Sequence, residues 1–199
     1  MLTLYGRPNS SNSAKVFWLL DELRQAYDLV PTGIGFGPTD TAEFRAMNPF
    51  GKVPVLRDGD LITWESNAIL RYLASRYGPT PLWPGDPAGR AGIDRWMDWA
   101  SISFTPPLTR LRKAGKAGRT EDRDLPAVLD AIAALERRFG ETAFLAGDTL
   151  TLADIAAAAS VHRWHALAEA RDSNPNLAAY YARLSENAGC RRHVLERLS

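Results

Sequence analysis

The 199-residue sequence predicts an α/β layer in the order β-α-β-α-β-β-α followed by an all-helical bundle. Three observations predict it. Strand-type and helix-type apolar patterns alternate over residues 2–77. The next stretch is rich in proline, with Pro79, Pro81, Pro84 and Pro87. Beyond it strand patterns vanish while helical periodicity continues. The expected division is therefore 1–78 for the first domain, 79–88 for a linker and 89–199 for the helical domain.

In chain order, residues 2–5 form a short β-type run closed by Gly6, Arg7 and Pro8. Asn9, Ser10, Ser11, Asn12 and Ser13 crowd before Val16, Phe17, Leu19, Leu20 and Leu23, which recur at helical spacing. Ser and Asn suit a helix start because their side chains accept from first-turn N–H groups that lack an intrahelical partner. A weaker strand covers 28–34 and runs into a glycine-rich loop at 33–37, followed by a short helix. Residues 53–57 and 61–63 flank Asp58-Gly59, a strong hairpin signal. Residues 65–77 are helical through Ile69, Leu70 and Leu73. Further helices are predicted at 90–113, 124–139, 152–169, 177–186 and 190–198, with Pro106-Pro107 breaking or kinking the first. Thr151 and Asp154 read as a capping box, with Leu150 placed to staple onto Ile155.

Composition narrows the function classes. Apolar residues at 45% and charged ones at 24% are an ordinary globular balance. The net charge of +1 gives no footprint for nucleic acid or an anionic membrane. Basic residues gather only between Arg110 and Arg119. No apolar run approaches the roughly 20 residues that cross a bilayer, and the N-terminus lacks a leader pattern. A single cysteine, Cys190, and three scattered histidines leave no basis for a disulfide or a metal site. A cytoplasmic protein without metal is the expectation.

Three clusters carry chemistry. At Ser10, Ser11 and Asn12 a helix N-terminus offers N–H groups and partial positive charge beside hydroxyl donors, which together stabilise an anion such as a thiolate. Lowering a thiol pKa by about two units needs roughly 2.7 kcal/mol. A hydroxyl bond to a charged acceptor (roughly 1.5–3 kcal/mol) and the helix end could supply it. The same residues also serve as a plain cap. At Lys52-Val53-Pro54-Val55 the proline needs an edge, a turn or a cis bond, and a cis bond would free the Val53 backbone for an extended peptide ligand. At Glu65-Ser66-Asn67 a hydroxyl and helix-start N–H groups suit a carboxylate while Glu65 suits an ammonium, the pair reading an amino-acid head group.

Residues 4–12 (Leu-Tyr-Gly-Arg-Pro-Asn-Ser-Ser-Asn), 48–55 (Asn-Pro-Phe-Gly-Lys-Val-Pro-Val) and 64–69 (Trp-Glu-Ser-Asn-Ala-Ile) together resemble the N-terminal domain of the glutathione S-transferases. Residues 143–155 (Ala-Phe-Leu-Ala-Gly-Asp-Thr-Leu-Thr-Leu-Ala-Asp-Ile) resemble that family's C-terminal signature. The resemblance implies a thioredoxin-like first domain and glutathione as co-substrate, activated as thiolate. The serine cluster is similar to the theta, phi, zeta and delta classes. There the activating Ser lies six residues before the first helix's apolar Val, which points to Ser10, with Ser11 or Asn12 able to share the role. Asn12 stands where zeta enzymes carry Cys. By the same resemblance Val53 would pair with the glutathione backbone, Pro54 would be cis, Glu65 and Ser66 would hold the γ-glutamyl end, and Lys52 would reach a carboxylate. Phe50 would be an aromatic key in a homodimer. The electrophile would lie between the domains, against Pro8, Asn9, Trp99, Ser103 and Phe104. A glutathione-dependent peroxidase or disulfide reductase, and a non-catalytic binding module, are the alternatives.

Overall fold

In the computed structural model the described residues are 1–78, 81–118, 123–167 and 174–198. Pro79 of the expected linker, Arg119 of the basic stretch and Glu169 at one expected helix end lie outside them. The chain divides into two compact units, one of Met1–Thr80 with Ala188–Leu198 and one of Pro81–Asn187.

The first unit is built on a four-stranded sheet of β1 (Leu2–Gly6), β2 (Tyr27–Pro31), β3 (Val55–Asp58) and β4 (Leu61–Trp64), in the order β2-β1-β3-β4. β1 runs parallel to β2 and antiparallel to β3, and β3 and β4 form a hairpin. Helix α1 (Ser11–Glu22) makes the crossover between the parallel pair, which a tight turn cannot join. A short α2 (Ala42–Met47) precedes β3, and α3 (Ser66–Tyr77) follows β4. Leu2 and Leu4 of β1 alternate inward, while Val55 and Leu56 of β3 are both buried.

α1 buries every residue from Ser13 to Leu20 because it packs against α3 and also against the C-terminal segment. That segment was expected as one helix over 190–198. It is instead a helical turn, Ala188–Cys190, and a five-residue π-helical stretch, Arg191–Leu195. Asp21 Oδ2 accepts from Arg192 Nη1 at 2.8 Å and pairs with His193 Nε2 at 2.9 Å, and the His193 ring stacks on Phe17.

Two strand boundaries differ from the sequence reading. β2 spans Tyr27–Pro31 rather than 28–34, and beyond Pro31 the chain folds back, with Thr32 bridging to Gly37. The hairpin turn falls on Gly59-Asp60, because Asp58 is still paired with Leu61. Tyr72 and Tyr77 of α3 both donate to Asp58 Oδ2, at 2.8 and 2.7 Å, which fastens Asp58 at the strand end.

The second unit is all-helical: α4 (Pro87–Trp99), α5 (Thr105–Lys116), α6 (Leu125–Glu141), α7 (Leu152–His165) and α8 (Pro175–Glu186). The single helix expected over 90–113 is two helices joined by a π-helical stretch, Ala100–Phe104. The wider turn lets the chain continue through Pro106 and Pro107, which occupy the first turn of α5, where no intrahelical N–H is needed. α7 is buried almost throughout, and its run of small residues from Ala156 to Ser160 allows close approach of α4 and α8. Its start is the anticipated capping box: Thr151 Oγ1 accepts from Ala153 N and Asp154 Oδ2 from Thr151 N. No helix among the described residues is long and apolar enough to cross a membrane.

Candidate functional site

Strand register brings the three clusters together. Tyr5 pairs with Val55, and Val55 pairs with Trp64. The chain that leaves β1, enters β3 and leaves β4 therefore does so at one end of the sheet. Residues 7–13, 48–54 and 65–66 all emerge there, as does Thr32 after β2, whose N–H donates to the Gly6 carbonyl at 3.0 Å.

Ser10 is the N-cap of α1 and is 9% exposed. Its Oγ accepts from Ser13 N–H at 3.3 Å. A hydroxyl has two lone pairs and one proton, so this bond leaves the O–H free to donate. Ser11, half-buried, and Asn12, exposed, are the first two helical residues, whose N–H groups have no carbonyl one turn earlier. Pro8 is half-buried and Asn9 exposed beside them. Tyr5 lies within β1, its ring edge-on to Phe44.

The Val53–Pro54 peptide is cis. The ladder starts at Val55, so the N–H and C=O of Val53 are not committed to strand pairing. The loop before it is clamped by Asn48, which is buried, donates to the Lys52 carbonyl at 2.8 Å and accepts from Phe50 N–H at 3.0 Å. Lys52 is exposed. Phe50 is 62% exposed, its ring edge-on to Trp64.

Glu65 caps α3 at φ 68° and ψ 116°, a conformation that non-glycine residues rarely adopt. The exposed carboxyl faces solvent while Ser66, only 6% exposed, opens the helix behind it. Strain of this kind persists where surroundings over-determine the backbone, typically at functional sites.

Three residues escaped the sequence reading. Asn48 was visible only as part of a motif. Arg7 was read as a turn residue, yet its side chain lies beside Val53: a Cβ placed on Gly33 would meet Arg7 Cδ and Nε at 3.0 Å and Val53 Cγ2 at 3.4 Å. Arg7 Nη1 donates to Asn9 Oδ1 at 2.6 Å, and its buried Nε has no hydrogen-bond partner among the described residues. Lys15, a cation inside the apolar run of α1, is buried against Ser66. An unmatched charge on a buried helix face was the available signal.

In the second unit, Trp99 is half-buried, Ser103 exposed and Phe104 fully buried with its ring stacked on Trp99 at 5.5 Å. Phe104 is therefore packing behind Trp99 rather than accessible surface. Cys190 is buried, which pushes its thiol up to about 12. Among the described residues no group of His, Cys, Asp and Glu is placed to hold a metal.

Residues 4–81 match the family model of the glutathione S-transferase N-terminal domain, and 120–183 that of the C-terminal domain. The chain is 40% identical to glutathione S-transferase GstB of Escherichia coli (strain K12) over 210 positions, covering 98% of each. It is 36% identical to glutathione S-transferase 3 of Zea mays over 77% of this chain and 73% of that one. Among solved structures, the theta class enzyme of Xanthomonas axonopodis pv. citri with glutathione bound aligns with a TM-score of 0.85 at 38% identity, covering 98% of this chain and 97% of that one. A delta-class enzyme of Nilaparvata lugens aligns with a TM-score of 0.90 at 26% identity, covering 99% and 94%. The paired domains, the full-length identity and the shared fold agree that this chain belongs to the glutathione S-transferase family.

Proposed function

We propose that the chain binds glutathione at the sheet end where Val53, Pro54, Glu65 and Ser66 meet. Ser10 then holds the thiol as thiolate for attack on a small, largely apolar electrophile. The observation that supports the reading is the row Tyr5–Val55–Trp64, which brings a hydroxyl donor, an uncommitted peptide unit and a helix start to one end of the sheet. Val53 pairs with the tripeptide backbone, Ser66 and the α3 N–H groups take the γ-glutamyl carboxylate, and Glu65 takes its ammonium. Lys52 serves a glutathione carboxylate. The thiolate forms a carbon–sulfur bond as the leaving group departs with its electron pair, or as an addition product takes up a proton. Positioning both reactants supplies proximity beyond activation. Pro8 and Asn9, beside Ser10, are the residues we assign to the electrophile. Phe50 is assigned to a homodimer contact, and the working compartment to the cytoplasm.

The test is the ultraviolet absorbance of bound glutathione thiolate, titrated with pH in wild type and Ser10→Ala. Wild type is expected to show thiolate near neutral pH. Ser10→Ala is expected to bind glutathione but ionise it about one to two pH units higher, the loss of one charge-assisted hydrogen bond. Identical titrations would move the activating role to Ser11 or Asn12. Absence of binding by wild type would leave only a non-catalytic module.

A further inference from the structure

Lys15 is 6% exposed in the middle of α1, and its Nζ lies 3.5 Å from Ser66 Oγ. Lysine is almost never so buried unless its charge is matched. The charged group acting on it among the described residues is Glu65, at the start of α3; the C-terminal segment that also packs on α1 contributes none. Burial lowers the Lys15 ammonium to about 8, and Glu65 works in the opposite direction. At neutral pH the cation is therefore largely protonated, beneath a hydroxyl and a helix start that together form a carboxylate site.

The direction of the Lys15–Ser66 contact is fixed by chemistry. An ammonium has three donors and no acceptor, so Ser66 Oγ must accept. The single Ser66 proton then cannot point back at Lys15 and is available to a ligand on the open side, where the first N–H groups of α3 emerge. A carboxylate arriving there meets a hydroxyl whose oxygen is engaged by Lys15, backbone donors, and a buried ammonium behind them that Glu65 also faces. An apolar side chain would pack at this position without the desolvation penalty of a buried charge.

We propose that Lys15 is a positioning residue for glutathione: it orients the Ser66 hydroxyl toward the γ-glutamyl α-carboxylate and provides the charge that matches that carboxylate. The inference rests on the glutathione reading above and adds to it a buried cation.

The experiment compares S-methylglutathione, which has no ionisable thiol, with its derivative amidated at the γ-glutamyl α-carboxylate. Calorimetric affinities are measured for wild type, Lys15→Met and Lys15→Arg. Wild type is expected to prefer the carboxylate ligand at least about tenfold. Lys15→Met is expected to lose about tenfold for that ligand while changing little for the amide, so that discrimination nearly disappears. KM for glutathione rises in parallel, with kcat at saturation largely retained. Lys15→Arg restores discrimination. If Lys15→Met fails to fold, the pH profile decides. Wild-type affinity for S-methylglutathione should fall as pH rises through about 8, where Lys15 deprotonates. Lys15→Arg, which stays charged, should lack that fall. Undiminished discrimination in Lys15→Met, or superimposable pH profiles, overturns the Lys15 role while leaving glutathione binding in place. Failure of wild type to bind S-methylglutathione overturns both readings.

Discussion

Glu65 and Lys15 are adjacent in space and disfavoured for different reasons, one by its backbone and one by its charge. The positive φ of Glu65 costs of order 1–3 kcal/mol for a residue with a Cβ. Glu65→Gly is therefore expected to leave stability unchanged or raise it by up to about 1 kcal/mol in a denaturant melt, while KM for glutathione rises because the ammonium contact is lost. Lys15 gives a pH signature. Its folded pKa of about 8 lies below the ordinary 10.5, so between these values the unfolded chain binds more protons than the folded one. Its contribution to stability then increases with pH through that window and is least favourable below about 8. The stability difference between wild type and Lys15→Met is expected to shift toward wild type by roughly 3 kcal/mol from pH 8 to 10.5. Denaturant midpoints at the two pH values measure it. The sequence showed only part of this: Glu65 was legible as a candidate head-group reader but not as strained, and Lys15 was one charge in a helical pattern until α3 was placed against it.

At the scale of elements, the start of α7 shows how much a local motif can specify. Thr151 and Asp154 were readable as a capping box because both ends of it lie within four residues. The structure adds what spacing could not: Asp154 also accepts from Leu145 N–H at 2.9 Å and from Tyr180 OH at 3.0 Å, joining the 143–147 loop and α8 to the same carboxylate. Burial pushes Asp154 up, and the four donors hold it back. Asp154→Ala strands these donors and is expected to cost at least about 3 kcal/mol, read as a lowered denaturant midpoint. The C-terminal segment offers a second test. A Cβ on Gly189 would collide with the Trp18 indole of α1, so Gly189→Ala is expected to destabilise by about 1–3 kcal/mol in the same assay. The π-helical stretch at Ala100–Phe104 was not legible. Two consecutive prolines signal a disruption without saying whether the chain will break, kink or widen by one residue.

For the whole molecule, the composition shift near residue 80 lies close to Pro81, where the second unit starts, but chain order hid the return of Ala188–Leu198 to the first unit. That return sets Arg192 in an ion pair with Asp21, brings His193 Nε2 to the same carboxylate, and stacks the His193 ring on Phe17. Assembly is the property tested at this scale. Phe50 exposes 62% of its surface at the tip of a loop pinned by Asn48. Phe50→Ser is expected to convert a dimer to monomer in light scattering while leaving the fold intact by circular dichroism. A wild-type monomer would remove the dimer assignment and leave the glutathione site as described.

By itself the sequence determined most of the order and type of the elements, the α7 cap and the sheet-then-helices fold class, and it pointed to Ser10, Val53-Pro54 and Glu65-Ser66 as candidates. These follow from local causes: apolar periodicity, turn chemistry and helix-start residues, each acting within a few positions of the chain. Only the tertiary structure decided that Tyr5, Val55 and Trp64 stand in one row, and so that three distant clusters share one end of the sheet. It also decided that Phe104 is core, that Arg7 lies beside Val53, and that Lys15 lies beneath Ser66. The physical reason is that strand register and helix packing are set by burial summed over the whole domain. A side chain's neighbours across the fold leave no mark on the residues next to it in sequence.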